Sequence, residues 1–572
     1  MENIPKVPAW KSPLPFAALV LMGSLCPWTG VVYGRGTVQE GAQLRSEIHS
    51  VSEIQGQPST VSAGGLTRGN RELVTLENDT AFDAGESARG VRRLVIIGGL
   101  SGDVESAYLA LDAVRWFKED ASAGEQSTWA VSVLPLANPS AVGNLSDLTY
   151  PPPDGYFNDA EQPESRYLWR WVTYQVPDLV VVVEAGPGWS MIESESNFLR
   201  ALEGPRIEEQ LAGVHTLHVR APRSDAGRIV RTAMASAPEG ESQLRNRIWT
   251  RIQRSELTIA ELLAGRYPEN PGMNYIPAVA WTHTLRLGEL IGDERLRSKV
   301  LDDVRPWLEG EESVIGERVS FAGLAGAMVF GELARKTSPI QERSAELVAQ
   351  SIAVGSEESA PGVPTHGSGW SDDVFLGSIL AATAGDLEGL EMAFRMIQHS
   401  AETLQQEDGL FYHAADAPIR WGRGNGFAAL GFAEVMTALG PSHSGRNELI
   451  EIYRQQMEGL RASQAPDGMW NQVVDLPGSY RETSVTAMVV TAMARGLRMG
   501  WLGDEYSAVV ERGWSGLKTR ILADGSLVDV CISTGSGTEL RHYLDRTAVN
   551  GADDRGGALM LGVALEIYAL KG

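Results

Sequence analysis

The chain has 572 residues, a formal net charge of −24 and two cysteines. That length exceeds one ordinary core, so two domains are expected. The acidic balance argues against nucleic acid and anionic membrane surfaces as partners, and leaves small anionic ligands open.

At the N-terminus, Lys6 and Lys11 precede an apolar run at 16–25 that is shorter than a bilayer-spanning helix. Residues 1–34 therefore read as a signal peptide, and the mature protein as exported to the periplasm or the extracellular space. Cys26 follows GSL, with Leu where a lipoprotein signal wants a small residue, which disfavours a lipid anchor. Removal of the signal would leave Cys531 without a disulfide partner. No later segment is apolar enough to span a membrane. Residues 35–90, rich in Gly, Ser and Thr, read as a linker and the edge of the next domain.

From 91 to 240 the runs RRLVIIGG, WAVSVLPLANP, DLVVVVEAG and HTLHVRAP alternate with helical patterns near 105–118 and 164–174. Near-continuous apolar runs such as LVVVV indicate strands buried on both faces, hence a small α/β domain with a parallel sheet. From 241 to 572 helical periodicity takes over, apart from a β-like excursion near 524–540. Apolar helices rich in Ala and Gly begin near Tyr275, Ser320, Asp372, Gly424, Glu482 and Asp554, with more polar helices between most neighbours. Six inner helices at roughly fifty-residue intervals predict an all-α (α/α)6 barrel. The loops NPGMNY, GERVSF, GSGWSDD, RWGRGNG, GSYRETS and NGADDRGG lead into these helices and should converge on one end. Helix N-termini gathered there suit a ligand with a carboxylate.

Within WGRGNGFAALGFAEV (421–435), the glycines would let backbone approach a ligand or take positive φ, and Arg423 offers a fork of donors for a carboxylate. The same stretch could be a plain helix lead-in with a solvated arginine. In GWSDDVF, Ser371 as N-cap with Asp372 and Asp373 in the first turn is ordinary capping. An acid role for one of them instead needs a pKa raised by burial and its like-charged neighbour, against the helix dipole. Trp370 is a candidate sugar platform or a wedge. His413 in DGLFYHAAD is a proton carrier, a ligand for a sugar hydroxyl or a packed loop residue. Glu482 is a candidate substrate-binding carboxylate or only a helix-start acid, and Tyr275 a site aromatic or core. His215 and His218 lie on a strand, where their spacing points them to opposite faces and makes a poor metal pair. No metal and no cofactor are expected.

The ordered set GLFYHAADAPIRWGRGNGF, DGMWNQVVDLPGSYRETSVTAM and DVCISTGSGTEL with DDRGGAL resembles glycoside hydrolase families 88 and 105, over about 267–572. These are unsaturated glucuronyl and unsaturated rhamnogalacturonyl hydrolases, and the similarity is closer to family 105. The resemblance implies an (α/α)6 fold, with Asp372 as catalytic acid/base. It implies His413, Trp421 and Arg423 lining the sugar site, with Tyr275 at the start of the first inner helix. On this reading Arg423 or Asn425 holds a uronate carboxylate, and Trp370 and Trp421 supply ring faces. The implied partner is an unsaturated uronate-terminated oligosaccharide left by a polysaccharide lyase. The implied reaction hydrates the C4=C5 bond: Asp372 protonates C4, water adds at C5, and the hemiketal collapses to release the neighbouring sugar. One departure stands out. The families carry a second Asp near the start of the second inner helix, where this chain reads VSFAGLAG and Glu317 is the nearest carboxylate.

IIGGLSGDVES, LPLANPSA and PDLVVVVEAG resemble the zinc carboxypeptidases. Ser101, Val104 and Glu184 stand where that family has its metal ligands, so the 91–240 domain reads as degenerate. Two other classes stay open for the whole chain. One is a non-catalytic glycan-binding protein, the other a different (α/α)6 glycosidase or lyase.

Overall fold

The computed structural model describes residues 35–82, 90–153, 155–193, 196–204, 211, 213–360, 363–533 and 535–572. The expected signal peptide lies outside the described residues. The chain divides into two compact units, Met1–Gln43 and Leu44–Gly572. The described part of the first is helical backbone.

Seven strands form one sheet: β1 (Ser59–Leu66), β2 (Glu72–Asn78), β3 (Arg92–Ile97), β4 (Trp129–Leu134), β5 (Leu179–Ala185), β6 (Ser190–Met191) and β7 (His215–Ala221). Their order is β1-β2-β4-β3-β5-β7-β6. The centre is parallel, with Leu94 of β3 opposite Val131 of β4 and Leu179 of β5. Both edges run antiparallel, so the sheet is mixed where a parallel one was expected. The β1–β2 hairpin lies inside the 35–90 stretch that composition marks as a linker and the edge of the next domain. The physical reason is close packing: a Cβ on Gly65 would run into Tyr167, and one on Gly64 would lie 3.1 Å from the Trp171 ring. Those glycines let the helix Pro163–Gln175 press its aromatic rings onto β1. Helices Val104–Glu119 and Ala226–Ser236 cover the other face of the sheet.

The helical region closes on itself. Its six inner elements centre on Tyr275–Ile291, Met328–Ala334, Asp373–Thr383, Gly422–Leu439, Thr483–Arg498 and Asp554–Lys571. Each packs on the next, and the sixth packs on the first. Helices Glu294–Asp303, Gln341–Gly355, Leu387–Leu404, Arg446–Ala462, Ser507–Lys518 and Glu256–Arg266 lie outside them. The second inner element is broken, with Phe321–Leu324 and a 3₁₀ turn at Ala325–Ala327 ahead of its helix. The fourth inner helix is buried almost all round, so it carries no polar face and depends on small residues for contact. A Cβ on Gly431 would meet the Val374 backbone of the third.

The same logic explains the glycines of WGRGNG. Gly422, Gly424 and Gly426 are helical, and none takes positive φ. Added Cβ atoms there would strike the Asn471 carbonyl, Ser371 Oγ and the Met488 side chain, respectively. They admit neighbouring protein rather than a ligand.

The β-like excursion is a strand, Leu527–Cys531, paired antiparallel with Ala548–Gly551. It lies between the sheet region and the ring. Tyr150, Trp169 and Leu168 share one apolar cluster with Trp421, Tyr480, Val528, Cys531 and Tyr543.

Candidate active site

The loop 367–371 turns back on the third inner helix, and its two aspartates part company. Asp373 accepts the amides of Ser368 at 2.7 Å and Gly369 at 2.8 Å, and the Ser368 hydroxyl at 3.0 Å. That carboxylate holds the loop shut. Asp372 occupies the N-cap position but makes no capping bond, and Ser371 does not cap the helix. Asp372 Oδ2 has no hydrogen-bond partner, and the side chain keeps 15% of its surface exposed. Burial first, then the neighbouring Asp373, pushes its carboxyl up to about 7, against Arg423 and Arg555. Burial also raises Asp373, to about 6, against its loop amides.

His413 lies beneath Asp372. Its Nε2 is 3.6 Å from Asp372 Oδ2, a gap too long for a direct hydrogen bond. Its Nδ1 is 2.7 Å from Tyr543 Oη, which itself accepts the Gly537 amide at 3.1 Å. With the tyrosine hydroxyl donating to Nδ1, the ring proton of the neutral imidazole is assigned to Nε2, facing Asp372. Burial, then His542, Arg423 and Arg546, bring the imidazole down to about 3, so it is neutral at physiological pH.

Aromatic rings enclose the pair. Trp370, half-buried, meets His413 edge-on at 5.2 Å, and Trp421 lies 4.5 Å from it on the other side. Trp421 is 2% exposed, so it backs the wall, and Trp370 is the more open ring.

Arg423 is buried behind Trp421. Its Nη2 donates to the carbonyls of Cys531 and Ile532, the latter at 3.1 Å. Asn425 is also internal: Oδ1 accepts the Phe411 amide, while Nδ2 donates to the Phe411 and Trp421 carbonyls. Its amide has nothing left for a ligand. Glu482 is fully buried and accepts the amides of Ser484, Val485 and Cys531. It fastens the strand Leu527–Cys531 to the fifth inner helix.

Tyr275 and Arg555 stand across the ring from Asp372, on the first and sixth inner helices. Both are half-buried, with Arg555 Nε 3.3 Å from Tyr275 Oη. Arg555 escapes sequence reasoning because DDRGGAL reads as a helix start. Asp553 does cap that helix by accepting the Gly556 amide, while Asp554 holds the amides of Glu269 and Asn270. Glu317, the carboxylate nearest the missing second Asp, is exposed.

In the sheet region, Glu184 lies 2.8 Å from His218 Nε2 and pairs with Arg220. The His218 bond first, helped by Arg220 and opposed by burial, brings its carboxyl down to about 2. Among the described residues no three His, Cys, Asp or Glu gather as a metal site, and no helix is long and apolar enough to cross a membrane.

A closed ring of helices, with aromatic rings and one raised carboxyl at one end, describes an α/α barrel. Comparison with known proteins agrees and narrows this: residues 363–571 match Glycosyl Hydrolase Family 88. The chain is 31% identical over 173 residues to an unsaturated 3S-rhamnoglycuronyl hydrolase of Alteromonas sp. (strain LOR), covering 27% of this chain and 42% of that protein. It is 25% identical over 177 residues to an unsaturated rhamnogalacturonyl hydrolase of Bacillus subtilis, covering 29% and 50%. It thus spans half or less of the length of these two relatives. A solved structure described as a possible member of the GH105 family, from Salmonella enterica, aligns with a TM-score of 0.50 at 17% identity. That alignment covers 55% of this chain and 94% of the other, and it shows the fold of the helical region. The family match lies outside 91–240, where the carboxypeptidase resemblance was read.

Proposed function

We propose that the protein is an exported glycoside hydrolase that removes a terminal 4,5-unsaturated uronic acid from lyase-generated oligosaccharides. The observation that carries this reading is Asp372. Its Oδ2 is unpartnered at the barrel mouth, its carboxyl is raised to about 7, and it faces Nε2 of a neutral histidine. Near neutral pH such a group is present in both forms, as a residue serving first as acid and then as base requires. Asp372 gives its proton to C4, water adds at C5, and the hemiketal formed there opens to free the neighbouring sugar. His413 Nε2–H is placed to donate to a sugar hydroxyl or to the attacking water.

The uronate carboxylate falls to Arg555 and the Tyr275 hydroxyl, because the Asn425 donors are spent internally and Arg423 is buried, 2% exposed, with Nη2 on carbonyls. Arg423 acts from behind as a fixed positive charge on Asp372. An ordinary two-carboxylate glycosidase suits the mouth less well, since Asp373, Glu482, Asp553 and Asp554 are committed to backbone amides.

The test follows the ultraviolet absorbance of the C4=C5 bond in a panel of lyase-generated disaccharides. Wild-type protein should consume the signal and Asp372→Asn should not. Binding without any loss of signal on every member would leave a glycan-binding protein instead.

A further inference from the structure

The sheet region grips the part of the barrel chain on which the site residues hang. From the helix Pro163–Gln175, Arg170 reaches Asp529 Oδ1 with Nε at 2.9 Å and Nη2 at 2.8 Å, both side chains being buried. Arg166 Nη2 donates to the Leu544 carbonyl at 2.9 Å. Asn158 pairs twice with Ala548, donating to its carbonyl at 2.9 Å and accepting its amide at 2.8 Å. All three grips fall on one excursion: the strand Leu527–Cys531, the short helix Leu540–Leu544 and the strand Ala548–Gly551.

That excursion supplies the supports of the site. The carbonyls of Cys531 and Ile532 hold Arg423, and Tyr543 Oη holds His413. Asp529 stands two residues before Cys531, and Leu544 directly follows Tyr543. Asp529 also takes φ of +60°, a left-handed conformation that persists in a non-glycine residue only when its surroundings impose it. A buried forked ion pair contributes little net stability, but it fixes register well.

We infer that the sheet region is a clamp on the active site, with Arg170 the positioning residue that sets Arg423 and His413 through Asp529 and the excursion. The inference rests on the hydrolase reading for its kinetic readout alone, because Cys531 provides a second, local one. Its thiol is buried, accepts from Gln472 Nε2 at 3.2 Å and donates to the Ile532 carbonyl at 3.0 Å. A loosened excursion exposes it.

The test uses the full chain with Cys26→Ser, so that Cys531 is its one thiol. Arg170→Met/Asp529→Asn removes both buried charges together and leaves neither alone. Asn158→Ala is the milder variant and carries the test if the double variant does not fold. Folding is checked by circular dichroism and a cooperative melt, and Cys531 is titrated with a chromogenic disulfide. Thiol modification should quicken roughly ten-fold in the folded variants, the mark of local opening. On unsaturated disaccharides kcat should fall roughly ten-fold through misplacement of the site. The alkaline limb of kcat/KM should move upward, as Arg423 withdraws from Asp372 while burial and Asp373 still raise it against Arg555, with His413 and Tyr543 alongside. Folded variants with wild-type thiol protection and an unmoved limb would overturn the clamp. A wild-type protein without turnover would sink the hydrolase reading, and the thiol rates would still decide the clamp.

Discussion

At the end of the ring away from Asp372, Arg286 donates to Glu332 at 2.6 Å and through both Nη atoms to Glu434 at 3.0 Å, while Arg495 joins Glu434 to Glu566. Arg286, Glu434, Arg495 and Glu566 line a cavity of about 530 Å³. Burial alone would raise Glu434, but Arg286 and Arg495 outweigh it and hold that carboxylate well below its usual range. At the mouth the outcome reverses: burial and Asp373 outweigh Arg423 and Arg555, and Asp372 rises to about 7. Helix dipoles would give the opposite order, since they favour anions at the mouth and cations at the far end. A dipole contributes about 0.3–1 kcal/mol there, against several kcal/mol for desolvating an ion. Hydrogen-bonded partners therefore separate the two ends: the far end uses its charge to hold the ring, and the mouth leaves one proton available.

The largest way to break this comparison is at Asp372. Asp372→Asn should lower kcat by about 10²–10⁴-fold, the usual contribution of a positioned acid, with the fold intact. In the wild type, kcat/KM should fall as pH rises through about 7, where Asp372 loses its proton. A flat profile across that window would remove Asp372 from the chemistry. Glu434→Ala tests the other end. It removes the carboxylate that Arg286 and Arg495 share, leaving Arg286 with Glu332 and Arg495 with Glu566, and should cost about 1–3 kcal/mol of stability, read by denaturant unfolding, while the folded enzyme keeps its kcat/KM.

The mouth could be read in part from the sequence, the far end not at all, and the gaps have physical causes. The six-fold spacing of apolar helices and the GWSDDVF motif both survive in the structure. Spacing could not say which aspartate is free, because that depends on a loop folding back so that Ser368 and Gly369 claim Asp373. Composition hid β1 and β2, whose glycines serve aromatic packing. It also made Arg423 and Asn425 look like ligand donors, although carbonyls of the chain itself engage both. Arg555 was invisible beside Asp554 and the capping Asp553.

Arg555 supplies a finer test of the mouth. Arg555→Met should raise KM for an unsaturated uronide about 10–100-fold, the loss of a hydrogen-bonded charge contact. A substrate with its carboxylate esterified should show no such penalty. Equal losses on both substrates would make Arg555 a support for Tyr275 rather than a reader of charge.

The smallest effect concerns stability, again at Asp372. Its pKa is raised from 3.8 to about 7 on folding, so the fold favours the neutral form. A group of that kind contributes its full stability below pH of about 4 and loses it as pH rises through about 7. Asparagine is neutral throughout. Asp372→Asn should therefore melt like the wild type at pH 4 and above it at pH 8, so that the substitution that removes activity stabilises the barrel. Asp373, raised to about 6, titrates in the same window. It is present in both proteins, so the difference reports Asp372 and its repulsion from Asp373 together. A variant that melts below the wild type at pH 8 would mean that Arg423 and Arg555 neutralise the ionised carboxylate. The mouth would then be a paired charge network like the far end, and Asp372 would hold no proton to give.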